Sequence, residues 1–154
     1  MAAKRFFEHI VTVTIGATNM QKTAYWAKYC EWFGEARELF MLNLLSLSAF
    51  SPPEGMRLDE VFEQFQVALE TADLNIRFLR PTYFGDRISI RINTRNFTEN
   101  SVMLVADFLK GEEVVAHCRQ TIVFFNPVNG ERIPIPEFLR TPALEFQVEA
   151  APAQ

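Results

Sequence analysis

Cysteine and histidine are scarce, with two of each in 154 residues. With His9 and His117 as the only imidazoles, neither a structural zinc cluster nor a Ser-His-Asp triad has much raw material, and no metal or cofactor is expected. Cys30 and Cys118 stand far apart, in neither metal-ligand nor redox spacing, which predicts two free thiols in a reducing cytoplasm. Positive charge is also short: the formal net charge is -4 and the pI is near 5.2. That excludes broad attraction to nucleic acid or to an anionic membrane surface. No apolar run is long enough to cross a bilayer. The opening "MAAKRFFEHIVTVTIGA" begins basic, but Glu8 and His9 interrupt it before any unbroken apolar stretch, which argues against a secretory signal.

What the chain has in abundance is aromatic side chains: fifteen phenylalanines, three tyrosines and two tryptophans within 49% hydrophobic residues. This composition predicts one compact domain over 1–154, with rings left over for an apolar ligand channel or an oligomer interface as well as packing. The alternation of "FFEHIVTVTI" over 6–15 predicts a first strand. From about Lys22 to Leu45 the period changes, and Tyr25, Tyr29, Trp32, Phe33, Ala36, Leu39 and Phe40 fall on one face of a helix. Such a helix, apolar over more than half its girth, needs cover on several sides.

Pro52, Pro53 and Gly55 in "SLSAFSPPEGM" end the helix in a loop, a candidate lid or subunit contact. Beyond it, "VFEQFQVALETADLNIRFL", "DRISIRINTRNFT", "SVMLVADFLKGEEVVAHCRQTIVFF" and "ERIPIP" all read as strand. Ile88, Ile90 and Ile92 face one way there, Arg87, Ser89, Arg91 and Asn93 the other. Turn signals at "PTYFGD", "TENS", "KGEE" and "NPVNGE" separate the strands, with Asn129-Gly130 a favoured hairpin pair, so the sheet is antiparallel. The last ~10 residues are expected to fray. The predicted class is α+β: five to six antiparallel strands curved around one long helix, with exposed edges that favour pairing of copies.

Two segments, with the order of elements, carry a resemblance over about residues 6–138. "TNMQKTAYWAKYCEWFGEAR" and "IRFLRPTYFGDRISI" resemble the hotdog-fold thioesterases of the 4-hydroxybenzoyl-CoA type. The chain departs from that family where it matters chemically. Asn19 stands where the acyl-CoA enzymes have a catalytic Asp, Gln21 and Lys22 replace a Gly-Gly pair, Trp26 replaces a His, and Gly34 falls on the family's helical Glu. The "TN" pair, the helix from Tyr25 to Phe40 ending in "RELF", and "RQTI" at Arg119–Ile122 are most similar to the thioesterases that release polyene chains from enediyne polyketide synthases. This resemblance implies a cofactor-free, tetrameric thioesterase acting on a polyene β-ketoacyl chain carried by the phosphopantetheine of a polyketide synthase carrier domain, or on CoA.

Thioester hydrolysis needs a placed water, donors for the oxyanion and a slot for the acyl chain. An amide neither titrates near neutrality nor attacks well, so Asn19 can only position groups, or else cap a turn, as Asn commonly does. The helix N-terminus near Thr23 to Trp26 offers free backbone N–H groups to an oxyanion. Arg37, on the flank of the apolar stripe, needs an acceptor: a neighbour's carboxylate, solvent at the sheet edge, or a substrate carbonyl. By resemblance Asn19, Arg37 and Tyr29 form the catalytic set, with Tyr25, Trp26 and Phe33 against the substrate. Core packing is the competing role for both tyrosines. Glu38 belongs to the acidic, solvated face, and His117 and Cys118 are expected to pack within a strand.

Overall fold

The structure, a computed structural model, describes residues 5–50 and 54–149. Five strands, β1 (Phe7–Thr12), β2 (Ala68–Phe78), β3 (Arg87–Arg95), β4 (Ser101–Lys110) and β5 (Glu113–Phe125), form one antiparallel sheet in the order β1-β3-β4-β5-β2. Helix α1 (Trp26–Leu47) lies along one face. Ile88, Ile90, Ile92 and Thr94 from β3, Val102, Leu104, Ala106 and Phe108 from β4, and Cys118, Gln120, Ile122 and Phe124 from β5 point towards it and are buried. This period-2 burial is what a sheet covered on one face produces. Helix α1 answers with Tyr29, Trp32, Phe33, Ala36, Phe40, Met41, Leu44 and Leu45. Leu39 and Leu42 on its far side stay exposed, so a single chain covers α1 only in part.

Three expected elements differ. Helix α1 starts at Trp26, not Lys22, because residues 18–24 fold into a loop of their own. "VFEQF" is not strand: Leu58–Gln64 form a short helix, α2, whose Asp59 and Glu60 sit in the first turn, with the Glu60 carboxylate accepting from the Arg57 N–H at 2.8 Å. Acidic residues there oppose the positive end of the helix dipole and satisfy a free donor. "ERIPIP" adds no strand beyond one bridge, Phe125 to Arg132. Pro134 and Pro136 have no N–H to give a ladder. The chain then forms α3 (Glu137–Leu144), which buries Leu139 and Ala143 against the core, followed by Phe146 edge-on to Phe40 at 5.0 Å between ring centroids. The sheet thus has the lower of the two expected strand counts.

The strand β2 is an edge, and most of its residues are exposed on both faces, with a register irregularity between Thr71 and Asp73. The expected turns are present at Gly85, Gly111 and Gly130, each with positive φ. Asn129-Gly130 turns the chain after β5, with the Gly130 N–H donating to Asn126 O at 2.8 Å. Part of the "SLSAFSPPEGM" loop, residues 51–53, and the end of the tail lie outside the described residues. Among the described residues, no helix is long and apolar enough to cross a membrane.

Candidate active site

The two segments that carried the resemblance meet in space. Residues 18–24 form a loop closed by a bridge between Thr18 and Ala24, and the turn "PTYFGD" clasps it: the Ala24 N–H donates to Thr82 O at 2.8 Å, and Thr23 bridges to Tyr83. The Gly-Asp pair holds that turn. Gly85 takes φ 87°, where a side chain would be strained. The Asp86 carboxylate accepts from the Tyr83 N–H at 2.8 Å and pairs with the Lys110 ammonium at 2.8 Å. Burial works to raise the Asp86 pKa, but Lys110 and the Tyr83 N–H outweigh it and hold it below the ordinary carboxylate range.

Asn19 organises its own loop. Its Oδ1 accepts from the Gln21 N–H at 3.0 Å, the Thr23 N–H at 3.3 Å and the Thr23 hydroxyl at 3.2 Å. The carbonyl end is therefore committed to an Asx-type turn, and the NH2 end has no partner among the described residues. Lys22, at a position where relatives by resemblance carry Gly, has φ 63°, the left-handed conformation that glycine adopts without penalty.

Tyr29 is buried at the floor of the same region. Its hydroxyl lies 2.7 Å from Thr82 Oγ1, and its ring packs against Trp32, Phe78 and Phe108 at centroid distances of 5.2, 5.1 and 5.3 Å. Burial pushes its pKa up, a push the Thr82 hydrogen bond opposes and the Asp86 charge adds to, so near neutrality it is a hydrogen-bonding phenol and not a base. Asn19, Thr23, Ala24, Trp26, Tyr29, Phe78, Leu79, Arg80 and Pro81 line an open groove of about 380 Å³. No carboxylate is among them. Trp26 forms one wall and is 58% exposed. Of the N–H groups expected to be free from Thr23 to Trp26, those of Thr23, Ala24 and Tyr25 are taken by Asn19 Oδ1, Thr82 O and Ala17 O, and that of Trp26 alone has no partner among the described residues.

The remaining candidates separate. Phe33 is packed in the core and Tyr25 sets its ring at a tilt to Trp26, 5.3 Å between centroids, and neither lines the groove. Arg37 follows Tyr29 by eight residues, about 12 Å along the helix. It lines a second, narrower pocket of about 180 Å³ with Glu38, Met41, Phe62, Thr71 and Ile122. Among the described residues it makes no hydrogen bond or ion pair. Arg80 in the groove, the buried Thr82 behind Tyr29 and Thr71 beside Arg37 were not expected at a site, and Glu38, expected on the solvated face, lines the Arg37 pocket. Thr82 alone had a signal, its place in "RPTYFGD".

The outer face of the sheet carries a larger, open groove of about 870 Å³ lined by Arg77, Arg91, Arg95 and Arg119. His117 lies there, exposed, with Nδ1 2.6 Å from the Asp107 carboxylate, so it does not pack as expected. Cys118, on the inner face, does: burial, with Cys30 nearby adding to it, pushes its thiol up to about 12. Both cysteines are free.

A sequence-family model described as the thioesterase-like superfamily matches residues 13–142, most of the chain. The chain belongs to that superfamily. It is 34% identical over 86 residues to a 1,4-dihydroxy-2-naphthoyl-CoA hydrolase of Microcystis aeruginosa, a match covering 56% of this chain and 62% of that protein. A second such hydrolase, from Prochlorococcus marinus, is 24% identical over 128 residues, 79% of this chain and 76% of its own. The matched stretch thus spans less than two thirds of the Microcystis relative. Among solved structures, the Synechocystis 1,4-dihydroxy-2-naphthoyl-CoA thioesterase Slr0204 superposes with a TM-score of 0.76 at 15% identity over 91% of this chain and 96% of that one. The Dynemicin thioesterase does so at 0.76 and 21% identity, over 96% and 100%. These structural likenesses establish the hotdog fold of this thioesterase-like chain.

Proposed function

We propose that the protein hydrolyses thioesters in the Asn19–Tyr29 groove. The observation that carries this reading is the groove itself: the unpaired Trp26 N–H, a phenol held by Thr82 and an amide NH2 lie along one groove with an aromatic wall, and no carboxylate is among its described lining residues. Donors of this kind suit the oxygen of a thioester carbonyl as it gains negative charge. Water adds to the carbonyl carbon, the C–S bond breaks, and the thiol leaves with a proton as the carboxylic acid forms. Tyr29 and the Asn19 NH2 orient; neither removes the proton at neutral pH.

Arg37 joins this site if two copies pair through β2. Antiparallel pairing about a two-fold near Asp73 would set the Leu69–Thr71 end of one strand, with its Arg37 pocket, beside the Phe78 end of the other, with its Asn19 groove. Extension of the sheet would also cover the exposed edge. In that dimer the partner's guanidinium faces the substrate carbonyl and stabilises enolate character in a β-keto thioester. The outer sheet face is the surface left for joining dimers into a tetramer.

The substrate class we propose is a long polyene β-ketoacyl chain on a polyketide synthase carrier domain, supported by the "TN", "RELF" and "RQTI" stretches. A second reading, an aroyl-CoA substrate, is favoured by the 34% match to a dihydroxynaphthoyl-CoA hydrolase. Matched acyl-carrier and acyl-CoA thioesters, incubated with purified protein, decide between them. Faster release from the carrier supports the first; faster hydrolysis of CoA esters supports the second; tight acyl binding without turnover of either would leave a non-hydrolytic acyl-binding protein.

A further inference from the structure

Two cavities lie end to end between α1 and the sheet, and one residue lines both. The first is the Arg37 pocket of about 180 Å³. The second, about 10 Å³, lies under α3 and is bounded by Phe40, Leu44, Leu104, Phe124, Leu139 and Ala143. Among the described residues, Met41 alone belongs to both linings. It is 6% exposed and sits four residues beyond Arg37, about 6 Å along α1. On the sheet the same step runs along β5 from Ile122, in the first lining, to Phe124, the next inward residue, in the second. The second cavity thus continues the first, and the Met41 side chain is the partition.

The first cavity is graded in polarity. Of its lining, Glu38, Glu70 and Thr71 are exposed and Arg37 is half-buried, whereas Ile122 and Met41 are buried. That order suits a ligand whose polar head stays at the mouth and whose apolar tail points at Met41. At about 180 Å³ the pocket holds about six groups of water or methylene size, each taking ~30 Å³. The second cavity is apolar apart from Thr94, whose hydroxyl donates to Ala143 O at 2.8 Å, so it offers nothing to hold a water. Methionine, unbranched and polarisable, is the side chain that fits such an irregular gap.

We infer that Met41 sets the longest acyl chain the protein accepts, by ending the Arg37 pocket against its thioether and keeping the cavity under α3 out of reach. This rests on the reading of the protein as a thioesterase whose acyl group enters the Arg37 pocket. A tail that ends short of Met41 gains burial with every methylene added. A longer tail must overpack the core around Met41 or leave its own methylenes in water.

The test uses straight-chain acyl-CoA thioesters from hexanoyl to hexadecanoyl, together with their non-hydrolysable thioether analogues. For the wild type, kcat/KM and analogue affinity should climb with chain length and then break at one length, beyond which they stop rising. Met41→Ala, which removes Cγ, Sδ and Cε and opens the partition, should move that break about two to three carbons longer. Met41→Phe should move it shorter, and Met41→Leu, close to methionine in volume, should leave it in place. Thermal melts show which variants fold; where Met41→Ala does not, Met41→Val, a smaller truncation, should shift the break in the same direction. A break that stays in place in the folded Met41→Ala or Met41→Val protein, or equal losses at every length, would mark a packing role and overturn the inference. So would a wild type without a break, or one that binds analogues of no length. If no thioester is hydrolysed but the analogues bind with a break that follows residue 41, the enzymatic reading fails and the role of Met41 stands.

Discussion

The Tyr29 hydroxyl and the Thr82 hydroxyl share one hydrogen bond of 2.7 Å, which ties the first turn of α1 to the turn between β2 and β3. Thr82 is 1% exposed, so this bond is both the anchor of the groove and the only hydroxyl contact that orients the phenol among the described residues. Tyr29→Phe should lower turnover at least tenfold and cost about 1 kcal/mol of stability, because a buried Thr82 hydroxyl loses its partner. Because folding raises the Tyr29 pKa, its stabilising contribution is complete below the unfolded value near 10 and is lost as the pH climbs towards the higher folded value. Denaturant unfolding between pH 8 and 11 should show a steeper alkaline loss for wild type than for Tyr29→Phe.

Asn19 is a different case, because its oxygen is already used. Asp at this position can accept from the same three donors, Gln21 N–H, Thr23 N–H and Thr23 hydroxyl, and those donors would keep the carboxylate ionised. Asn19→Asp should therefore fold with unchanged Tm and hydrolyse simple acyl-CoA esters faster than wild type. Asn19→Leu should lose about 1–2 kcal/mol, having left three donors unpaired, together with most activity. Thermal melts and initial rates on one acyl-CoA check both; a slower Asn19→Asp enzyme would show that the lost NH2 donor outweighs the carboxylate gained.

The extent to which the sequence foretold these contacts varies with the range of the interaction. The Ile88, Ile90, Ile92 alternation and the Tyr29 to Phe40 stripe are local patterns, and both elements formed where they lay. "VFEQF" misled because a short apolar run fits strand and helix alike, and the acidic first turn, not the hydrophobic period, decided it. Helix α3 was not expected; it accommodates Pro142 and buries Leu139 and Ala143, four residues apart, on the core. The meeting of Asn19 with Tyr29 depended on the resemblance. Thr82 acts through a neighbour 53 residues away, and no local pattern announces such a pair.

Asp86 offers a pH test from the acid side. Its depressed pKa means that its contribution is present above the unfolded carboxylate value near 4 and is lost as the pH falls through the lower folded value. Asp86→Ala removes the acceptor for the Tyr83 N–H and the partner of Lys110, and should cost about 1–2 kcal/mol at pH 7. The loss should shrink at pH 3, where the wild-type carboxylate is itself being protonated. Because Thr82 sits in the same turn, kcat should fall with stability, and Asp86→Asn, which can still accept from Tyr83, should recover part of it.

Tyr29 and Arg37 lie about 12 Å apart along α1 and line separate pockets, so a role for Arg37 in the Asn19 groove is played across a dimer. If it acts across, each composite site takes Asn19 from one copy and Arg37 from the other. Arg37→Ala should then reduce kcat/KM by about a hundredfold, on the scale of a lost oxyanion donor, while Glu38→Ala changes it less than twofold. Mixing and refolding the inactive Arg37→Ala and Asn19→Leu proteins should restore activity. In the mixed dimer one site collects both substitutions and the other is intact, so the mixture recovers about a quarter of the wild-type rate under random pairing. Were both residues to serve the same copy's site, every site in the mixture would carry one lesion and no activity would return.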